Sequence, residues 1–125
     1  TPHISGMSKN VDPLKGFFDS LDKVGAFGSQ VNISLPAHGL PFANLALRCD
    51  QIKEHHVGRL DKLRVVASEL DKPLTVTEYS GHLFSPRAQG TMADSETYAH
   101  LEHLRIAGEF GYKVREGIRE YSRTK

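Results

Sequence analysis

The sequence has a single cysteine, Cys49, and no long apolar run. One thiol excludes an internal disulfide framework, so packing must hold the fold, and it fits a reducing compartment. The longest runs of consecutive apolar residues fall far below the ~18 needed to cross a bilayer, which excludes a membrane-spanning helix. No signal-peptide pattern opens the chain, so the expected location is cytoplasmic. Charge of one sign is also lacking: 16 Lys and Arg against 15 Asp and Glu leave a formal +1 at pH 7. Such a balance gives no global attraction to nucleic acid or anionic lipid. What remains is ordinary for a soluble protein: 125 residues, 38% hydrophobic and 25% charged, enough for one domain or two small units.

The stretch 31–42 organises the chain. Val31, Ile33 and Leu35 alternate as in a buried strand, Pro36 ends the ladder by removing a donor, and Gly39 permits a turn. His38 is therefore expected on a rigid rim between Pro36 and Pro41. Upstream, residues 1–10 read as an irregular lead-in, with His3 solvent-exposed in preference to lining an active-site mouth. Asp12 can cap a helix, Pro13 suits its first position, and Leu14, Phe17, Phe18, Leu21 and Val24 recur at helical spacing until Gly25. That apolar face is expected to cover the sheet containing residues 31–35. Downstream, Leu45, Cys49, Ile52, His56, Leu60, Leu63, Ala67 and Leu70 define a helix from near Asn44 to about Leu70, roughly 40 Å long. Gly58 is its candidate bend. Cys49 lies on the apolar stripe, which favours a buried, inert thiol. Adjacent helical residues diverge by about 100°, so His55 and His56 are expected to pack or cap and not to share an ion.

The last third changes period repeatedly. Asp71, Lys72 and Pro73 stop the long helix, Leu74, Thr75 and Val76 are extended, and Thr75 with Glu78 has the spacing of a capping box that opens a helix through Leu83 and Phe84. Residues 85–90 break it. Asp94 or Ser95 is expected to cap the next helix, whose buried face is Tyr98, Leu101, Leu104 and Ala107 and whose end is Gly108. Phe110, Tyr112 and Val114 then alternate as in a strand, Glu116 and Gly117 turn, and residues 118–121 return. Three helices followed by a hairpin make a winged helix, which raises a nucleic-acid hypothesis. The third helix argues against it, with Asp94, Glu96 and Glu102 against Arg105, an arrangement expected to repel a duplex. In 109–125, Lys113, Arg115, Arg119, Arg123 and Lys125 outnumber Glu109, Glu116 and Glu120, and a solvated basic tail is the favoured reading. His100 and His103, three apart, have no third ligand and read as exposed helix histidines.

The turn Leu35, Pro36, Ala37, His38, Gly39, followed by Pro41 and a long helix carrying Arg48 and the paired His55 and His56, resembles the C-terminal part of metallo-β-lactamase-fold hydrolases. In that superfamily the phrase is usually Pro-Gly-His-Gly, and here Ala37 stands in place of the first glycine. The opening Thr1, Pro2, His3 and Ile4, the helix start at Asp12, Pro13 and Leu14, and the pair Ser20 and Leu21 look like the segment after the superfamily's metal-bridging aspartate. Residues after about Ala67 look like its β-lactamase-associated winged-helix extension. The resemblance implies an α+β, mostly helical chain. Residues 1–50 would be the incomplete C-terminal segment of the hydrolase core, and 51–125 a winged-helix domain entered by the long helix.

It also implies that His38 is a ligand of the second metal of a dinuclear, usually zinc, site. The reaction implied is hydrolysis of an ester, thioester, amide or phosphodiester, with the extension forming a wall of the substrate channel or a dimer contact. The superfamily's His-x-His-x-Asp-His motif and a separate Gly-Asp-His turn occur nowhere in these residues. A catalytic zinc needs three protein ligands plus water. The chain is thus expected to be a fragment, inactive alone, with no catalytic residue assigned and no tightly bound zinc. A nucleic-acid-binding or RNA-processing module and a non-catalytic interaction domain are the alternatives. The apolar face of residues 14–35, uncovered in a fragment, is expected either to drive homo-oligomerisation or to fold back on the long helix.

Overall fold

The computed structural model describes residues 4–6 and 9–124; His3 lies outside the described residues. Helix predominates, at 55% of the chain, with one small sheet, as the mostly helical α+β expectation required. The first helix, α1, spans Pro13–Gly25. Asp12 caps it by accepting from the Lys15 amide at 3.1 Å, with Pro13 in the first turn where its missing N–H costs nothing. The second, α2, runs unbroken over Leu45–Leu70. Asn44, in the left-handed region at φ 60°, caps its start, and Asp71, at φ 46°, ends it. Gly58 sits where an added Cβ would meet nothing, on the solvent side, and the helix continues through it.

After α2 come β1 (Leu74–Thr75), α3 (Val76–Leu83), α4 (Thr91–Ile106), β2 (Phe110–Arg115) and β3 (Ile118–Arg123). The capping box at α3 forms in full: Thr75 Oγ1 accepts from the Glu78 amide and the Glu78 carboxylate accepts from the Thr75 amide. The sheet is antiparallel in the order β1-β3-β2, with Tyr121 paired to Leu74 on one side and Tyr112 on the other. Its hairpin turns at Glu116 and Gly117, both at positive φ, the geometry that matches the twist of two antiparallel strands. One core joins these elements: Leu14 from α1, Leu60 and Leu63 from α2, Tyr79 from α3, Leu101 and Leu104 from α4, and Phe110 and Tyr121 from the hairpin. The Tyr79 hydroxyl donates to the Tyr121 carbonyl at 3.0 Å, satisfying the one polar atom it brings into that core.

Four sequence expectations fail. Residues 31–35 do not form a buried strand; one bridge, Ser34 to Phe42, is all the pairing present, and Ile33 and Leu35 are 59% and 77% exposed. A strand needs neighbours, and the described residues supply none for this segment beyond its own return. Accordingly α1 does not cover a sheet there. It lies back against α2 and α4, burying Leu14 and Leu21, while Val24 stays exposed. Third, α4 begins at Thr91 after Gly90, three residues before the expected caps. Asp94 and Ser95 instead serve tertiary contacts: Asp94 accepts from Thr77 Oγ1, and Ser95 accepts from the Gly6 amide through both its hydroxyl and its carbonyl. Ala107 lies exposed beyond the helix end, outside the buried face.

Candidate functional site

His38 sits where the sequence places it, at the tip of a turn. Ser34 and Phe42 pin the loop's two ends by reciprocal backbone hydrogen bonds of 2.7 and 3.1 Å. Gly39 takes φ +96°, which a side chain would oppose, so the loop reverses immediately after the histidine. The imidazole is exposed on the wall of an open groove of about 630 Å³, whose other walls include Pro36, Leu40, Phe42, Arg48 and Ile52. The groove is mostly apolar with two cationic or basic groups, a composition suited to a small molecule.

A zinc ion does not find a complete set of ligands here. Among the described residues no three His, Cys, Asp or Glu side chains come together as a metal site, and His38 supplies one nitrogen donor where three or four are required. Cys49, the one soft ligand, is buried; burial first, and the Asp50 charge second, push its thiol pKa up, away from the thiolate a metal would need.

Among the other histidines, His56 packs as its place on the apolar stripe implied, whereas His100 and His103, expected to be exposed, are buried and half-buried. His56 and His100 are both fully buried, and they touch: His56 Nδ1 lies 3.1 Å from His100 Nε2. His100 Nδ1 is 2.7 Å from the Glu96 carbonyl, which can only accept, so His100 carries its proton on Nδ1. Its Nε2 must then accept, and His56 donates from Nδ1. His56 Nε2 is left as a bare lone pair with no partner among the described residues, and the His56 ring stands perpendicular to that of Phe17 with centroids 5.5 Å apart. Burial, then the charges of Arg59 and His55, lowers the His56 pKa to about 4. Burial lowers that of His100 to about 3, against the opposing hydrogen bond to Glu96. His103, also expected on the surface, is half-buried and its Nδ1 lies 3.1 Å from the Asp12 carboxylate, tying α4 to the cap of α1.

The acids of α4 face inward too. Glu96 receives the Arg59 guanidinium at 2.7 Å. Glu102 receives two bonds from Arg105 and one from the Tyr121 hydroxyl at 2.8 Å, with Arg119 3.5 Å away. Burial alone would raise the Glu102 pKa, but these donors outweigh it and hold the carboxyl below its usual range. Repulsion of a duplex by these acids is therefore the wrong physical reason to exclude groove binding. A second reason is coverage: from Ala93 to Arg105 every residue of α4 is buried or half-buried, with α1 and residues 4–6 lying against it. The i,i+3 spacing of Glu102 and Arg105 is a signal from which this helical ion pair could have been found. The burial of Glu102 was not, since Tyr121 and Arg119 reach it from the hairpin.

No protein-family model and no curated protein matches the sequence. Solved structures do. A metallo-beta-lactamase family protein from Thermus thermophilus superposes with a TM-score of 0.75 at 36% identity, covering 92% of this chain and 35% of that one. The fold is that of part of a metallo-β-lactamase-family protein. A beta-lactamase domain protein from Burkholderia ambifaria agrees, with a TM-score of 0.80 at 27% identity over 98% of this chain and 37% of its own. The chain thus spans little more than a third of either relative, consistent with a C-terminal part of a metallo-β-lactamase-fold protein. Among the described residues no helix is long and apolar enough to cross a membrane.

Proposed function

We propose that these residues are the C-terminal part of a zinc-dependent metallo-β-lactamase-superfamily hydrolase acting on a small ester, thioester or amide. In this reading residues 1–50 complete the hydrolase core and 51–125, entered through α2, form a winged helix that walls the substrate channel. The order helix, strand, helix, helix, hairpin, with strands β1-β3-β2, supports that name for the second part. The observation that carries the proposal is the 36% match along nearly the whole chain. His38 is the one side chain we assign to the metal. It lies exposed on a pinned turn, free to supply one nitrogen to a site whose remaining ligands lie outside the described residues. The family relationship supplies the hydrolytic chemistry; this chain contributes a positioned donor, an apolar groove beside it and a rigid frame through α2.

The test uses the protein that carries these residues together with the rest of the hydrolase core. Replacing His38 with alanine should lower the zinc content by about one ion per polypeptide and reduce turnover by one to two orders of magnitude, roughly what loss of a metal ligand or its support produces. Unchanged zinc content with unchanged turnover would overturn the assignment.

A further inference from the structure

We propose that Arg48 is a specificity-determining residue of the His38 groove, selecting ligands in which a carboxylate or phosphate is attached to an apolar body. The chain has eight arginines. Arg59, Arg64, Arg105, Arg115 and Arg119 each lie within ion-pair distance of a carboxylate, and Arg123 donates to Ser68. Among the described residues only Arg48 and Arg87 have no such partner. Arg87 lies in the exposed 84–90 connection, whereas Arg48 lines the groove together with His38.

Arg48 also stands in the first turn of α2, where a cation opposes the helix dipole and where no acidic residue offsets it. A side chain that gains nothing for helix stability or ion pairing, on the wall of a groove otherwise built from Leu40, Phe42 and Ile52, is placed to meet an anion from outside. Its guanidinium fork matches the two oxygens of a carboxylate or phosphate, while the apolar walls accept the rest of the molecule. The groove, at about 630 Å³, is of the size small molecules occupy. That the ligand is a substrate rests on the hydrolase reading; that it binds does not.

The experiment separates the two. The 15N-labelled 125-residue chain, freed of metal with a chelator, is titrated with phenyl phosphate, phenylacetate and benzyl alcohol while its amide and Arg Nε resonances are followed. Both anions should saturate shifts in residues 37–42 and 47–52 and at Arg48 Nε, and benzyl alcohol should bind much more weakly. Arg48→Gln should weaken anion binding by about tenfold or more, the worth of one charge-assisted contact, and Arg87→Gln should not. The tighter of the two anions identifies the headgroup preferred. No saturable shift, equal binding of benzyl alcohol, or equal loss in both variants would overturn the proposal. The resonance dispersion of each variant reports that it is folded. Because no metal is present, failure of the His38 zinc assignment would leave this result standing, and the reverse.

Discussion

Mild acid should loosen the seam between α1, α2 and α4 through His56 and His100. Both are neutral in the folded protein, with pKa values lowered to about 4 and about 3, while an unfolded histidine titrates near ~6.5. Below that value the unfolded chain binds protons that the folded chain refuses, so stability is full above about pH 6.5 and falls as pH drops toward the folded values. Each such histidine contributes a slope of about 1.4 kcal/mol per pH unit within the window, and the pair about 2.7. From pH 7 to 4, His56 alone removes about 3 kcal/mol, a large part of the 5–15 kcal/mol typical of a domain. Little nearby would accommodate the charge: Arg59 and His55 oppose it, and Glu96, whose Oε1 is 4.0 Å from His56 Nδ1, already holds Arg59. On α4 itself, His103 is engaged with Asp12. Urea unfolding followed by far-ultraviolet circular dichroism, in steps from about pH 7.5 to 5 and so above most carboxylate titration, measures the slope. His56→Leu should roughly halve it. A stability that is flat across that range, or a slope unchanged by the substitution, would refute the reasoning.

Two further substitutions test the frame. Thr75→Ala removes the side-chain half of the α3 capping box and should cost about 0.5–2 kcal/mol, read as a lower denaturation midpoint at unchanged denaturant slope. Leu63→Ala, at a fully buried core position, should cost about 2–5 kcal/mol, whereas Leu40→Ala, at a position 86% exposed, should change stability by less than about 0.5 kcal/mol in the same assay.

Local chemistry was readable where it is decided locally. Asp12 with Pro13, Asn44, Thr75 with Glu78, and Glu116 with Gly117 each satisfy or bend the backbone within a few residues, and each appears where the sequence implied. His38 on its turn belongs to this class, because Pro36 and Gly39 shape the loop without distant help. What could not be read depends on contacts far apart in sequence. His100 has the same neighbours in the sequence whether it faces water or His56, and only the arrival of α2 forty-four residues away decides it. Similarly, the start of α4 at Thr91 left Ser95 free to bind the Gly6 backbone, a use that no helix-cap rule contains.

The failed strand at 31–35 differs in kind, because the sequence pattern and the structure are both intelligible. Ile33, Leu35, Leu40 and Leu47 are 59%, 77%, 86% and 50% exposed. At roughly 1.5–3 kcal/mol for burying each large apolar side chain, these four forgo on the order of 6–12 kcal/mol of available stabilisation. The core of Leu14, Leu63, Leu101 and Leu104 forms without them, so they are not needed to hold α1 or the hairpin in place. A β-branched, alternating, apolar segment that the fold leaves uncovered and ends in a pinned turn has the composition of a strand without its sheet. This chain spans 35% and 37% of the lengths of the two relatives. Under the hydrolase reading, the partner that would pair residues 31–35 belongs to that remaining two thirds. The same docking that buries Ile33 and Leu35 would bring the other metal ligands to His38.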